Sequence, residues 1–399
     1  MSTQFPVLKL KKNEDRRIKA GHLWVFSNEI NTKETPFDVF DAGQLVNICS
    51  HNGKSLGIAY VNPGSLICAR MMSRDPKHPP SQSLLVHRIK VALSLRERLF
   101  DKPYYRLVFG ESDFLPGLVV DRYGDVLVVQ LTTAGMEVMK QEVVMALEKV
   151  LKPKNILLRN DSSAREREGL PLYQETVLGD DIDSVYLEDM GVKYQAPIRS
   201  GQKTGWYYDQ RMNRQALTGL VKGQRVLDVF SYIGAWGVKA AVEGATEVVC
   251  IDASAQALEH VGNNAELNNV ADRMSGIKGD AFEAMKGLRE EREKFDVVIV
   301  DPPAFIKRKK DFKAGREAYR RLNQMAIQLL SKDGILVSGS CSHHLPRKEL
   351  QGLMLQSARH LDRNMQILIQ GYQGPDHPVH PAIPETEYLK AIFARVIPA

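Results

Sequence analysis

The sequence predicts an α/β protein whose larger, carboxy-terminal part is a doubly wound, mostly parallel sheet over residues 195–399. Three observations predict it. Five short apolar runs, at 225–229, 247–251, 275–278, 297–300 and 335–340, alternate with longer amphipathic stretches. That is the pattern of strands joined by crossover helices. A polar residue closes each run in turn: Asp228, Asp252, Asp280, Asp301 and Cys341. The chain before residue 195 has a different texture, β-rich over 1–75 and mixed α+β over 81–190. Residues 73–80, Ser-Arg-Asp-Pro-Lys-His-Pro-Pro, divide those two parts, because proline interrupts both helix and ladder.

Composition bounds the rest. A chain of 399 residues suits two or three domains and needs no disulfide or metal to staple its core. With 43% hydrophobic and 26% charged residues it is a globular chain, not a disordered, collagenous or coiled-coil one. No apolar run approaches the ~20 residues of a membrane span, and the first residues, MSTQFPVLKLKK, lack the apolar core of a signal peptide. Cys49, Cys68, Cys250 and Cys341 form no CxxC pair and have no histidine at ligand spacing. No metal site and no disulfide framework is expected, in keeping with a reducing cytoplasm. The net charge of +6 is too small to name a partner; its placement matters more.

In the first part, strands are expected at 44–49, 55–61 and 66–71. Before them lie the basic segment Lys9-Leu-Lys-Lys-Asn-Glu-Asp-Arg-Arg-Ile-Lys19 and Gly21-His-Leu-Trp-Val-Phe26. The segment reads either as a solvated helix face or as a phosphate-contacting strip beside Trp24 and Phe26. In the second part, helices are expected at 83–100 and 137–151 and strands at 125–132 and 155–159, with no catalytic constellation. At the end of the chain, 366–370 and 388–397 are expected to close the large sheet as a hairpin.

Ligands of an open parallel sheet bind beyond the carboxyl ends of its strands, which is where the five polar residues fall. A single Asp there is more often a cap or turn residue; five consecutive ones make a set. The first run continues Val226-Leu-Asp-Val-Phe-Ser-Tyr-Ile-Gly-Ala-Trp-Gly237. It carries two glycines, Gly234 and Gly237, where a dinucleotide fingerprint needs three. It therefore suits a nucleoside ligand without a pyrophosphate, such as S-adenosylmethionine. Asp252 is spaced to accept two ribose hydroxyls, and Asp280 falls where an adenine amino group could be read. Asp301-Pro-Pro-Ala-Phe305 is a rigid turn that points side chain and carbonyls at a flat ligand. In Ser338-Gly-Ser-Cys-Ser-His-His344, Cys341 sits past the strand among small polar residues, a setting that favours thiolate. The other three cysteines are expected to pack inside strands. Residues 306–321 hold eight basic and two acidic side chains directly after the Asp-Pro-Pro turn. Beside a site, such a run is suited to the phosphates of a polynucleotide.

These motifs resemble those of the bacterial 23S ribosomal RNA cytosine-C5 methyltransferases of the large-subunit methyltransferase I type. Gly21-His-Leu-Trp-Val-Phe-Ser27 is similar to that family's His-Pro-Trp-Val-Phe-Ser segment, with Leu23 replacing proline. Gly110-Glu-Ser-Asp-Phe-Leu-Pro-Gly-Leu118 is similar to its Gly-Glu-Ser-Asp-Gly-Leu-Pro-Gly motif, with Phe114 replacing glycine. Lys203-Thr-Gly-Trp-Tyr-Tyr-Asp-Gln-Arg211 resembles its Lys-Thr-Gly…Asp-Gln-Arg stretch. The resemblance implies a PUA-like RNA-binding domain over 1–75, a small central α+β domain over 81–190, and a Rossmann-like class I methyltransferase domain over 195–399. It implies S-adenosylmethionine held by Asp228, Phe230, Ser231, Gly234, Asp252, Ala253, Asp280, Ala281 and Asp301, with Lys203 and Gln210. It also implies 23S rRNA as the partner and a homodimer in the cytoplasm.

Its chemistry would use Cys341 as the nucleophile at cytosine C6 and Asp301 as the group that orients the base. Pro302 would offer a carbonyl to the amino group, and Lys307, Arg308, Lys309 and Lys310 would hold phosphates. Some cytosine-C5 RNA enzymes place a second cysteine, which assists product release, where this chain has Ala304. Release therefore needs another group, and the sequence does not name the base that takes the C5 proton. Two rivals are a methyltransferase acting on a guanine nitrogen and a non-catalytic RNA-binding assembly factor. Cys341 argues against the first and the intact cofactor residues against the second. A nicotinamide-dependent enzyme is disfavoured by the missing glycine.

Overall fold

The structure, a computed structural model, describes residues 5–399 and divides into two compact units. The first comprises the chain up to Val185 together with Pro197–Trp206 and Pro375–Thr386; the second comprises Tyr186–Ala196, Tyr207–Gly374 and Glu387–Ala399.

The first unit holds two five-stranded sheets. In one, Leu45–Cys49, Ser55–Val61 and Ala69–Ser73 form an antiparallel core flanked by Val7–Lys9 and Trp24–Val25. The expected strand at 66–71 begins only at Ala69. The Asn62 side chain accepts from the Gly64 amide (3.2 Å) and its own amide donates to the Cys68 carbonyl (2.7 Å), so the chain is still turning there. Cys68 is thus buried just ahead of the strand. The basic segment is not one solvated helix. It divides into Val7–Lys9 and a single helical turn, Arg16–Lys19. Arg17 is held by Glu29 (2.8 Å) and lies 4.7 Å over the Phe26 ring, so that part of the strip is engaged internally.

The second sheet runs in the order Tyr173–Leu178, Asn155–Asn160, Val126–Leu131, Leu118–Tyr123 and Tyr104–Phe109. Helices Gln82–Leu99 and Lys140–Leu151 pack with it around Leu85, Ile89, Val143 and Leu147. The expected helix at 137–151 is two helices, Ala134–Val138 and Lys140–Leu151, that meet at Met139. Phe114 occupies a left-handed turn (φ 58°) and is half exposed. That backbone costs an L-residue about 1–2 kcal/mol, which explains the glycine that similar motifs carry there.

The second unit is built on a seven-stranded sheet: β1 (Arg225–Val229), β2 (Glu247–Asp252), β3 (Met274–Lys278), β4 (Phe295–Val300), β5 (Leu330–Ser340), β6 (Arg363–Gly371) and β7 (Lys390–Pro398). Their order is β3-β2-β1-β4-β5-β7-β6. The pairs β1–β2, β1–β4, β2–β3 and β4–β5 are parallel, whereas β7 is antiparallel to both β5 and β6. The helices are α1 (Ala235–Val242), α2 (Ala255–Leu267), α3 (Ala281–Glu290), α4 (Phe312–Leu329) and α5 (Arg347–His360). The doubly wound α/β sheet expected from the sequence is present. Its central strands are apolar on both faces because helices cover both, and Val226, Val229, Val298, Val300 and Leu336 are fully buried. The expected terminal pair is also present, but β7 inserts between β5 and β6. The order reverses at β1/β4, and the chain's polar strand ends gather there.

Candidate active site

The loop after β1 is the most contorted backbone of the second unit. Phe230, Tyr232 and Gly234 all have positive φ (66°, 50° and 80°). Two carboxylates hold this shape. Asp228 is fully buried and its Oδ2 accepts from the Gly237 amide (2.9 Å). A Cβ at Gly237 would stand 2.7 Å from Cys250 Sγ and 3.2 Å from that carboxylate, so only glycine lets α1 start this close to β1. Burial, then the nearby Asp301 and Asp252 charges, pushes the Asp228 carboxyl up to about 7. Asp228 therefore shapes the loop from beneath. Asp252, at the tip of β2, accepts from the Tyr232 amide through Oδ2 and from the Ser254 amide through Oδ1, both at 2.9 Å. It is half-buried, and each oxygen keeps a lone pair for a hydroxyl.

Asp280 caps α3, accepting from the Phe282 (2.9 Å) and Glu283 (3.2 Å) amides, and is exposed. Ala253 is exposed beside Asp252, Ala281 is buried at the start of α3, and Ser231 is buried within the loop with no partner for its hydroxyl. The half-buried Asp252 carboxylate beside the positive-φ turn is the group here that could hold the ribose of S-adenosylmethionine. Bound there, that molecule would supply an electrophilic methyl on sulfonium.

On the other side of the switch point, Asp301 follows β4 directly. Its Oδ2 accepts from Gln210 Nε2 (2.8 Å) and Trp236 Nε1 (3.1 Å), and Asn213 Nδ2 in turn donates to Gln210 Oε1 (2.7 Å). Gln210, expected at the cofactor, is buried as a holder of Asp301. Pro302 is buried as well. Gly339 of β5 lies so close that a Cβ would come within 2.5 Å of Asp301 Oδ1. The Asp301 carboxylate thus rests against the last residues of β5, two positions before Cys341.

Cys341 is half-buried, whereas the other three cysteines are buried. It stands between two buried serines anchored to one phenol. Ser340 Oγ donates to Tyr319 Oη (2.9 Å), and Ser342 Oγ lies 2.9 Å from the same oxygen. Ser342 Oγ also accepts from the Ile306 amide (3.1 Å), fastening the Asp-Pro-Pro loop to the end of β5. Tyr207, stacked edge-on to Tyr232 at 5.7 Å, is within electrostatic reach of both Asp301 and Cys341. Burial, followed by these neighbours, drives its phenol well above the usual range. Lys390 of β7 is buried and donates to the Ser342 carbonyl (2.7 Å). Burial pulls its ammonium down to about 8, against the raising effect of Cys341.

Of the basic run, Lys307, Arg308, Lys309 and Lys310 are exposed directly after the Asp-Pro-Pro loop. Arg308 pairs with Asp311 (3.2 Å), Arg316 with Glu349, and Arg320 with Glu317 (2.5 Å), so the helical half of the run is largely paired. Lys203 belongs to the first unit, where it is exposed with φ 51°. Trp236, Tyr207, Tyr319 and Lys390 carry no role in the reading from sequence. The first two lie inside motifs already singled out, so proximity in the chain could have found them. Tyr319 is hidden in a charge run, and Lys390 lies in a strand read only as an edge.

Residues 8–74 match the model of a PUA-like domain, and residues 165–360 match that of S-adenosylmethionine-dependent methyltransferases. Among similar proteins, the ribosomal RNA large subunit methyltransferase I of Salmonella gallinarum is 36% identical, over 99% of this chain and 98% of its own. That of Salmonella arizonae is 35% identical, over 98% of each. A solved chain from Streptococcus mutans, classed with SAM-dependent methyltransferases, shares the fold at a TM-score of 0.83 and 19% identity, covering 98% of this chain and 100% of its own. A chain solved in complex with SAH gives a TM-score of 0.84 at 20% identity over the same shares. Full-length identity of this order, on a sheet whose switch point carries these carboxylates, places the chain in the ribosomal RNA large subunit methyltransferase I family of S-adenosylmethionine-dependent methyltransferases.

Proposed function

We propose that the protein methylates C5 of a cytosine in 23S ribosomal RNA through a covalent bond between Cys341 Sγ and cytosine C6. The relatives named ribosomal RNA large subunit methyltransferase I support the substrate class, and the PUA-like match supports RNA binding. The observation that carries the chemistry is the meeting of two strand ends. Asp301 lies against bare Gly339, and Cys341 follows Gly339 by two residues and is half-buried.

In this reading Phe230, Ser231, Gly234, Asp252, Ala253, Asp280 and Ala281 form the cofactor cradle, and Asp228 shapes it from beneath. Gln210 acts through Asp301. Thiolate adds to C6, which makes C5 a nucleophile, and C5 takes the methyl group. Asp301 hydrogen-bonds the polar edge of the ring as charge builds there. A base then removes the C5 proton, and the electron pair released expels Cys341. Lys307, Arg308, Lys309 and Lys310 hold backbone phosphates, and the target base is extruded to reach the thiol. Residues 1–75 serve RNA recognition and 195–399 the chemistry. The family resemblance adds a homodimer and a cytoplasmic location.

The test is incubation with S-adenosylmethionine and 23S rRNA fragments carrying 5-fluorocytidine. Fluorine replaces the proton that must leave C5, so the adduct persists. A denaturation-stable RNA adduct mapped to Cys341, with 5-methylcytidine formed in unmodified rRNA, is the expected result. Methylated guanine without an adduct would refute it.

A further inference from the structure

Lys390 is a buried amine with no matching buried carboxylate. It is 7% exposed, and among the described residues no carboxylate lies within ion-pair distance of it. Its one hydrogen bond is to the neutral Ser342 carbonyl, 2.7 Å from Nζ. An ammonium buried this way is costly unless an anion faces it. The charged and titratable groups around it are few. From the end of β5 comes Cys341, from α5 Arg347, and from the approach to β7 the exposed Glu387. Arg347 repels, and Glu387 is solvated. Cys341 is the one partly enclosed group there that can become an anion.

The register fixes this meeting. Lys390 lies directly across from Ser340 in the β5–β7 ladder, and its hydrogen bond reaches forward to residue 342, past the cysteine. Around Cys341 itself stand the Tyr207 and Tyr319 phenols, both neutral at physiological pH because burial raises them. Lys390 is therefore the basic group that a hydrogen bond ties to the residue next to the thiol.

We propose that Lys390 is the positioning residue that sets the ionisation of Cys341, taking the thiol proton on Nζ to leave an ammonium–thiolate pair before substrate arrives. The balance is simple: the S–H bond breaks, an N–H bond forms, and no net charge is created. Burial brings the amine close to the range in which a free thiol ionises, so the proton moves between groups of similar affinity. The chemical role of the pair rests on the proposed function above, but the pairing itself does not.

The test is the pH dependence of iodoacetamide alkylation of Cys341 in the full-length protein, read by peptide mass spectrometry without RNA or S-adenosylmethionine. In the native protein the midpoint is expected below the ~8.5 of a free thiol. Lys390→Gln keeps a donor for the Ser342 carbonyl but no charge. It should raise the midpoint by about one unit and slow alkylation at neutral pH about tenfold. Lys390→Arg should restore the low midpoint. An unchanged midpoint in Lys390→Gln overturns the proposal, as does Lys390→Arg behaving like the glutamine variant. A reciprocal measurement avoids altering the buried lysine: NMR titration of ¹³C-methylated lysines should show the Lys390 amine titrating lower in Cys341→Ser than in the native protein, and no movement there also overturns the pairing. Absence of an RNA adduct with a shifted thiol midpoint would instead sink the C5 chemistry and leave the pair standing.

Discussion

The two sides of the switch point use the same kinds of side chain in opposite ways. At the tips of β1, β2 and β3, the carboxylates serve nearby backbone: Asp280 takes amides two and three residues on, Asp228 one nine residues on, and Asp252 amides two and twenty residues away. At the tips of β4, β5 and β7 the partners are remote. Asp301 is held from 91 and 65 residues away, Ser342 is tied to positions 36 and 23 residues away, and Lys390 reaches back 48. One side is a set of local turns that present a cradle. The other is a tertiary assembly whose side chains are held chiefly by distant parts of the chain. Substitutions should therefore act gently on the first side and through geometry on the second.

The largest effect is expected at Cys341. Cys341→Ala should lower rRNA methylation by about a thousandfold or more while S-adenosylmethionine binding, read by calorimetry, stays unchanged. Near-native turnover would erase the distinction between the two sides. Asp301→Ala should cost about 10²–10³ in kcat. Gly339→Ala should approach that loss by pushing Asp301 aside, although it removes no polar group. If Gly339→Ala turns over normally, the close packing of β4 and β5 is not what positions the acid.

On the cradle side, Asp252→Ala should weaken S-adenosylmethionine about a hundredfold or more, as loss of two charge-assisted hydrogen bonds does, with kcat at saturation less affected. Asp280 sharpens the comparison further. Asp280→Ala removes a cap and should destabilise by about 1 kcal/mol, whereas Asp280→Ser keeps the cap. Weaker cofactor binding in the serine variant would show that the carboxylate reads the ligand as well as the helix.

The smallest effect is one of pH. Asp228 titrates near 7 in the folded chain and near 4 when unfolded. A carboxyl raised by folding contributes stability that is complete below its unfolded value and is lost as pH rises through the folded one. The stability of the native protein relative to Asp228→Asn should therefore fall between about pH 4 and pH 7 in thermal melts. A relative stability that rises steadily through this window would contradict the burial of that acid.

Much of the site was legible. The alternation of apolar runs and helices announced the sheet, and each polar residue ending a run was found at or just beyond a strand end, because strand length and hydrophobic period are local properties. Gln210 was read as a cofactor residue but binds Asp301, and Asp228 was read the same way but lies beneath the loop. Sequence names a polar residue near a site without saying which atom it faces. The break at Met139 and the late start of the strand at Ala69 were missed for a related reason: side-chain turns and packing override periodicity over a residue or two.

By itself the sequence determined which residues form the strands, where the chain turns, and that one thiol outside the core follows a strand near an Asp-Pro-Pro turn. Those are matters of period, backbone freedom and burial, which a residue carries with it. Only the tertiary structure decided that β7 inserts beside β5, and with it that Lys390, 49 positions from Cys341 in the chain, bonds the residue after that cysteine. Strand order across a sheet is fixed by the packing of distant elements, and the proton affinities of the groups it brings together follow from that packing.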